Sequence, residues 1–170
     1  MRSQGTFTLS DIPRIEITGH PLLRARTDRP APPSGRQAQV SAQHAVAVAL
    51  LRGRAGLAEF SDSAAADPAL RAVAGRVSLV DDAGLAVDAA RVTLVAHDGA
   101  ANSCLVEHAR GGLARPLSDA DLEHKLISLA EHGSSSGGSK IDVRRLIAAL
   151  WSLDRIEDAA SIMSMAGGES

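Results

Sequence analysis

The sequence predicts an α+β domain, in which a small, mostly antiparallel sheet carries helices on one face and a C-terminal helical segment follows. Three observations carry this prediction. Residues 13–19 alternate polar and apolar, the period of a half-buried strand. Residues 40–52 are alanine-rich and almost continuously apolar, the pattern of a packed helix. Between residues 76 and 108 three short β-prone runs follow one another, and beyond Gly112 the apolar period becomes helical. A strand, helices, a run of strands and then more helices define the α+β class.

The first strand is Pro13-Arg14-Ile15-Glu16-Ile17-Thr18-Gly19. Pro21 opens a stretch rich in Arg and Pro that runs to Gly35, where Pro30, Pro32 and Pro33 forbid regular helix and an extended loop is expected. A loop of that length in a small domain is either functional or draped over a partner. Residues 45–51 have no polar face, and Arg52-Gly53 closes them, so a buried helix stopped by Gly53 is expected. Leu57 to Phe60 adds a short helical turn. Asp67-Pro68 places an N-cap before a proline at the first helical position, which predicts a helix from Pro68 to Ala74.

Residues 76–80 form the next strand, closed by Asp81-Asp82-Ala83-Gly84. Residues 91–97, with Val92 and Leu94 on one face, pair with residues 103–108 as a hairpin around Asp98-Gly99. Ser118-Asp119-Ala120-Asp121 reads as a capping box, after which Leu122, Leu126 and Leu129 recur at helical spacing up to a stop at Gly133. Residues 134–139 are a mobile Gly/Ser linker between a domain at 1–133 and helices at 140–170 that pack on the same domain. Residues 141–151 form one of these helices, with Leu146, Ile147 and Leu150 on one face. Asp154 caps the last, whose Ile156, Ala160 and Met163 point inward, and the final four residues fray.

Composition narrows the function classes. The chain has 170 residues, 45% hydrophobic and 22% charged, as expected of one soluble globular domain with a helical appendage. Aromatics make up 2%, too few to stack the bases of a single strand. With 18 basic and 20 acidic residues there is no basic stripe for a duplex, so no nucleic-acid partner is expected. Arg24, Arg26, Arg29 and Arg36 cluster loosely, as a solvated segment or an anion site. The single cysteine, Cys104, forms no internal disulfide and is expected as a small buried strand residue in a reducing compartment. No apolar run is long enough to span a bilayer, and the polar N-terminus has no signal-peptide core, so no membrane partner and a cytoplasmic location are expected.

Spacing alone reveals no chemistry. GxGxxG, P-loop, CxxC, HExxH and GxSxG patterns are absent. None of His20, His44, His97, His108, His124 and His132 stands at a metal-ligand spacing from a second ligand, and no metal site is expected. His97-Asp98 falls in the hairpin turn, where its role is structural.

A resemblance does point to chemistry. The run Ser34-Gly35-Arg36-Gln37-Ala38-Gln39-Val40-Ser41-Ala42-Gln43-His44, leading into an apolar helix that ends at Gly53, is similar to the signature opening the C-terminal domain of the MmgE/PrpD family. In that signature a small polar turn and a Ser precede an aromatic residue or His. Asp67-Pro68, His97-Asp98-Gly99, Gly112-Leu113-Ala114-Arg115-Pro116-Leu117-Ser118 and Asp121-Leu122-Glu123-His124-Lys125-Leu126 follow in the family's order. The resemblance covers essentially the whole chain.

It implies polycarboxylate chemistry at a carbon next to a carboxylate, as in 2-methylcitrate dehydratase, cis-aconitate decarboxylase and an epimerase of iminodisuccinate, with no metal or organic cofactor. Proton abstraction there builds charge on the substrate carboxylate, which calls for a base and for cationic or hydrogen-bonding groups. By the same resemblance, members join this domain, a lid over the cleft, to an all-helical domain that holds most catalytic His, Asp and Lys residues. The helical domain's Lys-Pro-Tyr-Pro type motif is not in this sequence. The chain is therefore expected to act only with a helical domain, either a separate helical-domain chain or one lost through truncation of the reading frame. The alternative is an interaction module that kept the fold and binds a partner or itself.

Residue by residue, His44 matches an active-site Tyr of the dehydratase and decarboxylase members. A His there donates to a carboxylate or shuttles a proton, or else is simply satisfied at a helix N-terminus. Ser41 and Gln43 flank it and bind substrate oxygens, unless Ser41 serves only as an N-cap. Arg36 is a candidate for bidentate pairing with a substrate carboxylate. Arg115 is a second candidate, or a solvent-exposed loop charge.

Overall fold

The computed structural model describes residues 8–138 and 140–167. The polar N-terminal segment, the last residue of the Gly/Ser segment and the final three residues lie outside the described residues. The chain divides into two compact units, Met1–Ala109 and Arg110–Ser170.

The first unit is built on β1 (Arg14–Gly19), β2 (Val77–Asp81), β3 (Ala90–Val95) and β4 (Ala101–Val106), in the order β2-β1-β3-β4. β1 runs parallel to β2 and antiparallel to β3, and β3 is antiparallel to β4. The sheet is thus mostly antiparallel, as its sequence predicts, with one parallel pair that makes it mixed. A parallel pair needs a crossover, and residues 20–76 supply it. They carry α1 (Pro21–Thr27), α2 (Gly35–Ala38), α3 (Ala42–Arg52), α4 (Asp62–Ala66) and α5 (Pro68–Ala74), with a 3₁₀ turn at Leu57–Phe60.

Register sets the core. Ile15 lies between Val77 and Leu94, and Ile17 between Leu79 and Val92, so these six side chains share one face. Ala47 and Val48 of α3 and Leu70, Val73 and Ala74 of α5 belong to the same buried cluster. The small alanines let helix and sheet approach closely. On the opposite face Glu16 sits between Ser78 and Thr93, and the Thr93 and Ser103 hydroxyls meet at 2.8 Å.

Several expectations need correction. The stretch after Pro21 is not extended throughout, because residues 21–27 form α1. Pro21 occupies the first helical position, where its missing N–H costs nothing, and the His20 ring Nδ1 accepts the Leu22 N–H at 3.2 Å. The helix-breaking prolines lie beyond Thr27. α3 is buried on one face only, with Leu50 and Leu51 exposed. Its stop is as expected, with Gly53 in the left-handed region at φ 65°. The hairpin pairs residues 90–95 with 101–106, each strand beginning and ending earlier than expected. Asp98 Oδ1 takes the Ala100 N–H and the Asp11 carbonyl takes the His97 N–H, which commits residues 96–100 to the turn. Cys104 is exposed, because every residue of β4 is.

The second unit contains α6 (Asp119–Ser135), α7 (Val143–Trp151) and α8 (Ala160–Gly167). The Ser118–Asp121 capping box opens α6 as expected, with the Ser118 Oγ accepting the Asp121 N–H at 3.2 Å. The helix does not stop at Gly133. Ser134 and Ser135 continue it, and Gly137, at φ 89°, ends it. The Gly138 N–H reaches the Gly133 carbonyl at 2.9 Å and the Gly137 N–H the Ser134 carbonyl at 3.3 Å, the two bonds of a Schellman cap. The last helix starts later than expected. Asp154 lies in a 3₁₀ turn, and Asp158 Oδ1 takes the Ala160 N–H at 2.9 Å. The inward position therefore falls to Ile162, while Ala160 and Met163 are exposed and Ile156 is half-buried.

Candidate functional site

The first turn of α3 gathers Ser41, Gln43 and His44, all buried. Ser41 is the N-cap, and its Oγ accepts the His44 N–H at 3.0 Å. The same hydroxyl donates its one proton to the Arg29 carbonyl at 2.6 Å. Gln43 grips that segment as well: its Oε1 accepts the Arg29 N–H at 3.1 Å and its Nε2 donates to Asp28 Oδ1 at 2.6 Å. The His44 Nε2 meets the Glu59 carbonyl at 2.8 Å, and its ring lies 5.5 Å from that of Phe60 at an interplanar angle of 58°. Among the described residues no buried side-chain nitrogen or oxygen lacks a partner. That is the condition for placing so many polar groups inside.

Glu59 was not singled out by sequence and is as buried as His44. Its carboxylate accepts the Gly56 N–H at 3.0 Å and Arg54 Nε at 2.8 Å. Burial pushes its pKa up. The Gly56 amide and the Arg54 guanidinium more than reverse this and hold it below the usual glutamate value. The available signal was Gly56-Leu57-Ala58-Glu59, an acid three residues after a glycine, able to reach back to the glycine's amide. Asp28 was missed too, hidden in a stretch read as loop.

Gly35 anchors the same region. Its N–H donates to Asp62 Oδ1 at 2.7 Å, and a Cβ there would collide with the backbone of Phe60, Ser61 and Asp62. The small polar turn of the Ser34-Gly35-Arg36 segment thus has a steric cause. Arg36 is exposed on α2 and makes no ion pair among the described residues. Arg115 lies in the second unit, exposed, its backbone bridged to Gly111 and Gly112. So the structure brings Ser41, Gln43 and His44 together in one turn, sets Arg36 nearby in sequence on a separate helix, and assigns Arg115 to the other unit. Of the four clustered arginines, Arg24 pairs with Asp81 at 2.9 Å and is structural.

No group of three or more His, Cys, Asp or Glu among the described residues is placed to hold a metal ion. None of their helices is long and apolar enough to cross a membrane.

A helix-backed four-stranded sheet whose crossover presents a capped, alanine-rich helix defines the class of domain. The family model described as the MmgE/PrpD C-terminal domain matches residues 1–152, and the chain belongs to the MmgE/PrpD family through that domain. The match crosses the boundary between the two units and ends directly after α7, leaving α8 outside it. No curated protein matches the chain.

Proposed function

We propose that the chain is the lid domain of a MmgE/PrpD-type lyase or isomerase. In this reading it dehydrates, decarboxylates or epimerises a small polycarboxylate next to a carboxylate, in the cytoplasm and together with a helical domain. The observation that carries the reading is the family match over residues 1–152, which includes the α3 turn and its His44. His44 handles the proton, Arg36 is the candidate beside it for drawing a substrate carboxylate, and Arg115, in the other unit, is a separate candidate for that role. Ser41 and Gln43 have their side chains engaged with residues 28 and 29. They serve the site by fixing the turn that presents His44.

The test is an assay of the chain, alone and mixed with a family helical domain, against cis-aconitate and 2-methylcitrate. Turnover is expected only from the mixture, and His44→Ala is expected to lower it by about a hundredfold or more. Turnover by the chain alone, or a mixture indifferent to His44, overturns the reading.

One observation favours a second reading, an interaction module without catalysis. In the second unit Leu113, Trp151, Leu153 and Met163 are each at least half exposed, and apolar surface of this kind marks association sites. Light scattering behind size exclusion separates the two readings, because a module that pairs with itself elutes as an oligomer. A strictly monomeric chain counts against self-association.

A further inference from the structure

His44 has one ring nitrogen already committed. A carbonyl oxygen has no proton to give, so in the contact with Glu59 the donor is His44 Nε2–H. The neutral imidazole then carries its lone pair on Nδ1. Among the described residues Nδ1 makes no hydrogen bond, so its lone pair stays uncommitted there.

The acceptor is held in turn. The Glu59 carboxylate reaches back to Gly56 and so fixes the 3₁₀ turn that aims the Glu59 carbonyl at His44. Arg54, with 74% of its side chain exposed, closes over that carboxylate from outside. Sinking a carboxylate into a protein is costly unless it is paired. A turn needed only to reverse the chain is made more cheaply by surface Gly, Asn or Ser.

We propose that Glu59 and Arg54 are positioning residues that hold His44 as the Nε2–H tautomer, so that His44 offers a proton acceptor at Nδ1. The proposal rests on the reading of His44 as a residue of the lid's working surface, and it sharpens the chemistry there. Neutral His44 takes a hydrogen bond from a substrate hydroxyl, or removes a proton from the carbon beside a carboxylate. In the second case the C–H electron pair stays on the substrate, delocalised into that carboxylate, and the imidazolium later returns the proton. A Tyr at this position both donates and accepts. The His form favours polycarboxylates that bring an O–H or an acidic C–H to this atom over those that present only an ionised carboxylate.

The test is nitrogen–proton correlation NMR of the ¹⁵N-labelled full chain at a pH where the ring is neutral, with the His44 signals identified by their loss in His44→Gln. The wild type is expected to show Nε2–H as the single tautomer. Glu59→Gln and Arg54→Ala, with the fold checked by circular dichroism, are expected to turn that signal into a mixture, Glu59→Gln the more strongly. A wild-type ring protonated at Nδ1 overturns the proposal, and so does an unchanged single tautomer in the folded variants. If Glu59→Gln does not fold, Arg54→Ala decides, since it removes a largely exposed side chain and leaves the Gly56 bond to the Glu59 carboxylate in place. No turnover is measured, so the outcome is independent of the polycarboxylate reading.

Discussion

α3 and α5 pack against each other over one face of the sheet, and they begin in opposite ways. α5 opens at the surface. Asp67 takes the Ala69 N–H at 2.9 Å and pairs with Arg52 at 2.8 Å, and Pro68 fills the first helical position. Each of those groups serves a helix end and little else. α3 opens in the interior, where its first-turn side chains bond to residues 28 and 29 on one side and to residue 59 on the other. One start ends a helix, whereas the other ties three separate stretches of chain together. Buried polar side chains are expensive to leave unmatched, so an interior start is justified only where position matters more than stability.

Substitutions at the two starts sharpen this contrast. The largest loss is expected from His44→Ala, which opens a cavity against Phe60 and strands the Glu59 carbonyl, at a cost of about 3 kcal/mol in urea denaturation. Gln43→Ala frees the Arg29 amide of its acceptor and Asp28 of its donor. A loss of about 2 kcal/mol is expected, with hydrogen exchange at the Arg29 amide faster than in the wild type. Third comes acid. The folded Glu59 carboxyl sits below its ordinary pKa. Its contribution is therefore complete above the unfolded glutamate value and is lost as pH falls through the folded value. Denaturation followed from neutral pH to about pH 3 is expected to show a shallower decline for Glu59→Gln than for the wild type. The decline that remains belongs to Asp11, Asp67, Asp88 and Asp121, held low in turn mainly by Thr8, the Ala69 amide, His108 and Ser118. The smallest effect is expected for Asp67→Ala, whose denaturation midpoint should move less than that of Gln43→Ala. The reverse order of these two would erase the contrast between the starts.

The sequence showed well what local rules govern. The alternation around Ile15 and Ile17, the Gly53 stop, the Asp67-Pro68 start and the Ser118 box each express a nearest-neighbour preference, and each is present. It erred where one residue outweighed a general tendency. Pro21 starts a helix in a proline-rich stretch, and Gly137 rather than Gly133 takes the left-handed cap. The parallel pairing of β1 with β2 joins strands separated by the whole crossover, beyond the reach of any local pattern. For the site, Ser41, Gln43 and His44 were visible as polar residues leading an apolar helix. Their partners Asp28 and Glu59 were not, because a hydrogen bond between distant segments leaves no period in the sequence.

Arg24 gives the two borders of the sheet different fates. Arg76 and Asp82 bond to β1 through their backbones, so by alternation the Leu79 carbonyl faces away from it, and the Arg24 guanidinium takes that carbonyl while pairing with Asp81. β2 therefore presents an incoming chain with a border already occupied by a cation, a recognised defence against unwanted strand pairing. Among the described residues β4 carries no comparable guard along its outer side. If this sheet ever lengthens, by exchange between copies or in a misassembled state, the β2 border resists it, and Arg24→Ala would remove that resistance.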